Sequence, residues 1–133
     1  MPKASHTLLA AMPPVISFVG KPVRAAGWYG PTRGLHTVAI RVANFRGRLF
    51  VEASLALAPQ DDEWFSVLPD AAPYIEFPRQ MVGVGETATL GFSFRCNCLW
   101  LRARMDRSHI APATLTEEQI AQYGRVDFVR VIF

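Results

Sequence analysis

Residues 34–55, GLHTVAIRVANFRGRLFVEASL, hold two runs in which apolar side chains alternate with small or polar ones. Val38, Ile40 and Val42 fall on one side of the first run, and Leu49, Val51, Ala53 and Leu55 on one side of the second. Successive side chains leave a β-strand in opposite directions, so this alternation predicts two strands, each with one buried face. Asn44-Phe45-Arg46-Gly47 lies between them with turn-forming residues at both ends, and the economical reading is an antiparallel hairpin. Such a hairpin sets Ala43 opposite Arg48, Arg41 opposite Phe50 and Ala39 opposite Glu52. Arg41 is then expected to reach Glu52 diagonally and to cover Phe50 with its alkyl stem.

The rest of the chain reads the same way. VISFV (15–19) is a short strand candidate, followed by the turn-rich GKPVRAAGWYGPTRG. Two more short strands are expected at about Trp64–Leu68 and Tyr74–Phe77, punctuated by Pro59, Pro69, Pro73 and Pro78. Leu90, Phe92 and Phe94 share one face of GVGETATLGFSF, and CLWLRARM alternates Leu99, Leu101, Ala103 and Met105 with Trp100, Arg102 and Arg104. TEEQIAQYG is the one helical pattern, with Thr116 placed to cap it, and GRVDFVRVIF closes the chain as a strand. This is an all-β chain: a single antiparallel two-sheet sandwich, jelly-roll-like, with at most one short helix and a closed barrel as the competing architecture. The expected division is an N-terminal arm and lead-in over 1–26 and a β-sandwich domain over 27–133. The opening MPKASHTLLAAMPPVISFVG has the outline of a signal peptide, but Pro13 and Pro14 interrupt its apolar stretch and no small-residue cleavage site follows.

The chain has 133 residues, enough for one domain with a core, and half of them are hydrophobic. No apolar run approaches the ~20 residues that span a bilayer, so no membrane is expected. The formal charge is +3, and twelve of the fourteen cations are arginine. Arginine is less strongly hydrated than lysine and offers a planar fork to carboxylates, which suits a covered surface. Residues 1–60 hold seven cations and one acid, Glu52, whereas residues 61–133 hold seven cations and ten acids. That asymmetry fits either a polyanion or copies of the chain meeting head to tail.

Catalytic and metal chemistry find little in the sequence. Asp61, Asp62 and Glu63 lack the alternation and glycine of a calcium loop. Cys96 and Cys98, two apart in an expected strand, are read as reduced and packed, because His6, His36 and His109 are scattered and complete no zinc set. There is no phosphate loop, dinucleotide fingerprint or zinc-hydrolase motif. The expectation is a chain that is not an enzyme, with no cofactor and no metal. Binding has two candidate surfaces. Arg41, Arg48, Phe50, Trp100 and Arg102 are the candidate protein interface, a flat and only partly polar face. Trp28, Tyr29 and Trp64 are the candidate glycan-binding rings. Nucleic acid ranks third, since Glu52 interrupts the basic row and the net charge is low.

The succession GWYGPTRGLHTVAIRVANFRGRLFVEASLALAPQDDEWFSV, ETATLGFSFRCNCLWLRARMDRS and GRVDFVRVI resembles the small β-sandwich virion proteins of tailed bacteriophages, especially large marine and cyanobacterial ones. The likeness covers most of residues 27–133. It rests on Gly27–Gly30, GLHT at Gly34–Thr37, the Phe45–Leu49 turn, DDEWF at Asp61–Phe65 and WLRAR at Trp100–Arg104. The resemblance implies a non-enzymatic structural component: capsid decoration or cement, a neck subunit or a tail attachment. Its partners would be other virion proteins and further copies of itself in a homo-oligomer. Its place would be the virion, after synthesis in the host cytoplasm. The resemblance brings no ligand residues. The chain departs from it in Cys96, Cys98 and the proline-rich first twenty residues, so its arm is expected to meet partners in its own way.

Overall fold

The structure is a computed structural model of the chain, which describes residues 3–10, 12–31, 33–69, 71–80 and 84–133. Among the described residues ten strands and one α-helix follow in order: β1 (His6–Ala10), β2 (Ser17–Val19), β3 (Val23–Arg24), β4 (Leu35–Phe45), β5 (Gly47–Ser54), β6 (Phe65–Ser66), β7 (Ile75–Phe77), β8 (Glu86–Arg95), β9 (Trp100–Asp106), α1 (Glu117–Ala121) and β10 (Arg125–Ile132). One sheet has the order β1-β10-β4-β8, and the other has β2-β9-β5-β6, with β3 also paired to β9 and β7 to β5. Every pairing is antiparallel. With β2 and β3 taken as one broken strand and β6 and β7 as another, the pairs nest: β1 with β10, β2/β3 with β9, β4 with β8, β5 with β6/β7. Nested pairing is what a long hairpin gives when it is rolled up, and the result is a two-sheet sandwich with jelly-roll order.

The core lies where the alternating faces meet. Val38, Ile40 and Val42 of β4, Leu49, Val51 and Ala53 of β5, Leu101 and Ala103 of β9, and Val129 and Val131 of β10 are all fully buried. Burial at alternate positions is the pattern expected of strands with one wet face.

The β4–β5 hairpin is not formed. The two strands belong to different sheets and pack across the core, so the expected pairings of Ala43 with Arg48, Arg41 with Phe50 and Ala39 with Glu52 do not exist. The register of β4 against β8 breaks between Val42 and Phe45, Asn44 takes φ 49° and Gly47 takes φ 149°. A bulge followed by a left-handed turn lets a strand change sheets at a corner. Alternation marks which side of each run is buried. It does not say whether two buried sides lie next to each other or face each other.

Other boundaries moved for local reasons. The expected strands at 64–68 and 74–77 shrink to Phe65–Ser66 and Ile75–Phe77, between the prolines that cannot join a ladder. The 15–19 candidate is the three-residue β2. β8 ends at Arg95, so Cys96 and Cys98 sit in the connection after it rather than within a strand. The helix is confined to Glu117–Ala121, and Thr116 caps it as expected: Gln119 N donates to Thr116 Oγ1 at 3.3 Å and Thr116 N to Gln119 Oε1 at 2.9 Å. Residues before 27, expected as an arm and lead-in, supply β1, β2 and β3, with Leu8 and Leu9 buried in the core.

Candidate interaction face

The outer side of the β5–β9 ladder carries a row rich in arginine and aromatic side chains, with Glu52 among them. Arg48 pairs in register with Asp106, Phe50 with Arg104, Glu52 with Arg102 and Ser54 with Trp100. Side chains directly opposite in an antiparallel pair share a face, so these eight positions form one surface. At its centre Glu52 is buried, and its Oε1 accepts from Arg102 Nε at 3.0 Å and from Arg104 Nε at 2.9 Å. Each guanidinium also covers a ring: Arg102 lies 4.3 Å from the centre of Trp64, and Arg104 lies 3.6 Å from that of Phe50. A planar, weakly hydrated guanidinium can bond a carboxylate at its edge while its face stays on a ring, which an ammonium cannot do.

The row continues in both directions. Phe50 meets Tyr74 edge-on at 5.6 Å, Arg48 lies 4.4 Å over Tyr74, and Arg48 Nε pairs with Glu76 Oε1 at 3.3 Å. His109 Nε2 approaches the same Glu76 oxygen at 3.0 Å. Burial pushes the neighbouring Asp106 carboxyl up, but bonds from Ser108 and Ser17 outweigh it and hold the group below the usual carboxylate range. At the far end Trp28 packs on Trp100 at 5.2 Å, with Arg24 4.4 Å over Trp28. Trp100 Nε1 donates to the Leu57 carbonyl at 3.1 Å, which anchors a loop whose Leu55 and Leu57 are 62% and 75% exposed.

Of the expected interface residues, Arg48, Phe50, Trp100 and Arg102 are brought together here, and Arg41 is not. Arg41 projects from the other sheet, where its Nη1 donates to Thr89 Oγ1 at 3.1 Å and its Nε lies 4.0 Å from Asp127 Oδ2. Arg41 was expected to partner Glu52 and cover Phe50; Arg102 and Arg104 partner Glu52 instead, and Arg104 covers Phe50. The three candidate glycan rings do not form one platform. Trp28 and Trp64 each lie under a guanidinium on the row, while Tyr29 turns away onto Phe133 at 6.2 Å. Arg104, Tyr74 and Arg24 join the row without having been among the expected interface residues. Arg104 had a signal, its spacing of two from Arg102, whereas Arg24 sits on a two-residue strand too short to carry a pattern.

A hollow of about 390 Å³ beside the row is lined by Arg46, Glu76, Phe77, His109, Ile110 and Tyr123 among others. Among the described residues no three His, Cys, Asp or Glu side chains converge as a metal set would require, and both cysteines are free thiols. No described helix is long and apolar enough to cross a membrane. Comparison with protein-family models, with curated proteins and with solved structures finds no match to this chain.

Proposed function

We propose that the chain is a non-enzymatic structural component of a bacteriophage virion, one that binds other virion subunits through the outer face of the β5–β9 sheet. The observation that carries this reading is the row of guanidinium–ring contacts centred on Glu52. Its central guanidinium groups are already bonded to Glu52 inside the chain, and its rings lie packed under guanidinium groups with little rotamer freedom left to lose. A partner therefore meets a flat, pre-ordered surface rich in the residue types that dominate protein contacts. The exposed Leu55 and Leu57 next to Trp100 add an apolar knob at the end of the same face. Repetition around a particle lets single weak contacts sum to a stable array.

The test is assembly. Arg24→Glu with Arg48→Glu reverses charge at the two ends of the row and leaves the Glu52 centre intact. The variant should fold as the parent does by circular dichroism and fail to enter particles formed in the presence of the other virion proteins. Normal incorporation removes this face from the proposal. Absence of the parent chain from purified particles removes the virion reading altogether.

A further inference from the structure

We propose that two copies of this chain pair edge to edge through β8, in an antiparallel two-fold arrangement that joins two four-stranded sheets into one of eight. The sandwich has four sheet edges, and three are blunted in ways that prevent strand addition. β1 has five residues and a register break between Thr7 and Leu9. Both edges of the other sheet are divided into strands of two or three residues. β8 is different. It runs ten residues, has no proline, carries charge only at its ends, and no described element pairs with its outer edge. An edge of that length left bare is a template for another strand, and folded proteins normally interrupt such edges.

Its side chains also read as unfinished burial. Ala88, Leu90, Phe92 and Phe94 point into the sandwich yet are only half-buried, unlike the inward residues of β4. A shallow groove borders Leu90 and Phe92, lined on its other side by Ile75 of β7 and by Leu68 and Tyr74, which precede it.

The occupant that fits is a second β8. Its ends carry opposite charges, Glu86 at the start and Arg95 at the finish. Antiparallel pairing brings Arg95 of one copy to the Glu86 end of the other, whereas a same-direction pairing stacks arginine on arginine. Residues opposite each other share a face, so the axis must pass through one residue position. With the axis at Gly91, Leu90 faces Phe92 of the second copy, Ala88 faces Phe94, and Thr89 faces Ser93. Small lies against large along the inner row. With the axis at Leu90, Phe94 would lie against the Glu86 carboxylate, which Arg79 already holds at 2.8 Å. The Gly91 register is therefore the one proposed. It is an isologous contact and closes at two copies. This inference concerns the chain alone and stands whether or not the chain is a virion component.

Sedimentation of the purified full chain at tens of micromolar tests it. The parent should sediment as a dimer. Thr89→Lys with Ser93→Lys changes two exposed side chains and sets four lysines together across the axis. That variant should be monomeric with an unchanged circular dichroism spectrum. Thr89→Glu with Ser93→Lys restores opposite charges in the Gly91 register and should recover the dimer. A monomeric parent overturns the proposal, as does a dimer that survives the double lysine change. Failure of the charge-matched variant to dimerise overturns the register.

Discussion

Glu52 sits directly across the β5–β9 ladder from Arg102, buried, and accepts its Nε at 3.0 Å while a second arginine, Arg104, bonds both carboxylate oxygens. One acid thus bridges two guanidinium groups that are themselves laid on Trp64 and Phe50. Removing the acid leaves two poorly solvated cations facing each other. Glu52→Gln keeps the shape and removes the charge, and it should lower the unfolding free energy by about 3 kcal/mol. Urea unfolding measures this directly. A neutral Glu52→Gln would mean that the row is held by its rings and not by this carboxylate.

His36 gives the chain a weakness toward mild acid. The ring is fully buried, stacked on Phe94 at 4.8 Å, with Nδ1 donating to the Gly34 carbonyl at 2.7 Å and Nε2 accepting from Ala26 N at 3.2 Å. Protonation would turn Nε2 into a donor aimed at a donor. Burial holds the group below its ordinary value of 6.5, against the opposing pull of the Gly34 bond. A base with a lowered folded-state pKa binds its proton more readily when unfolded. Its contribution to stability is therefore complete above about pH 6.5 and declines as the pH falls below that. One proton sets the ceiling on that slope, about 1.4 kcal/mol per pH unit. Urea midpoints from pH 7.5 to 5 should fall more steeply for the parent than for His36→Gln. Parallel curves would sink this account.

The turn that sends the chain from one sheet to the other depends on Gly47. At φ 149° an added Cβ would lie 3.0 Å from both the Arg107 Cβ and the Phe45 ring. Gly47→Ala adds backbone strain to this crowding and should cost about 3 kcal/mol, lowering the melting temperature by roughly 10 °C. Gly30 is the control: its φ is 113° with nothing within 4 Å of a Cβ, so Gly30→Ala carries the conformational term alone, about 1 kcal/mol. Equal melting shifts in the two variants would refute the crowding at the corner.

What the sequence made legible was the face of each strand. Leu101, Ala103 and Met105 inward against Trp100, Arg102 and Arg104 outward is written in the alternation, and the β9 burial pattern repeats it. The same alternation gathered Arg48, Phe50, Trp100 and Arg102 before any pairing was known, since all four are outward positions of strands that proved to be neighbours. The identity of a strand's neighbour was not legible. Partnership depends on where the chain turns, and Asn44–Gly47 looks alike as a hairpin turn and as a corner between sheets. Arg41 was misplaced for that reason alone. Single polar residues in the core were harder still. His36 does stand in phase with Val38, Ile40 and Val42, so its inward direction could be read, but its two backbone partners could not.

Arg107 belongs to the same class, and it yields the last prediction. Its side chain is fully buried after β9, with Nε donating to the Val15 carbonyl at 2.9 Å and Nη1 to the Gly124 carbonyl at 2.9 Å. Its own amide donates to the Ile16 carbonyl at 2.9 Å. Nη2 is buried without a partner among the described residues. Burial lowers the pKa of this guanidinium, and no described carboxylate pairs with it. The bonds therefore serve position: they tie the segment before β2 to the start of β10, two stretches more than a hundred residues apart in the chain. Arg107→Met keeps the volume of the stem but takes this donor from the part-buried Val15 and Gly124 carbonyls, at about 1 kcal/mol for each bond lost. The loss should be local first, because the N-terminal strands are short and lie at sheet edges. Hydrogen exchange in residues 15–20 should accelerate by at least tenfold in the variant while exchange in β4 and β5 follows only the change in global stability. Trypsin should cut the variant after Arg24 well before it cuts the parent. Uniform acceleration across all strands would show instead that Arg107 supports the whole sandwich and not this segment in particular.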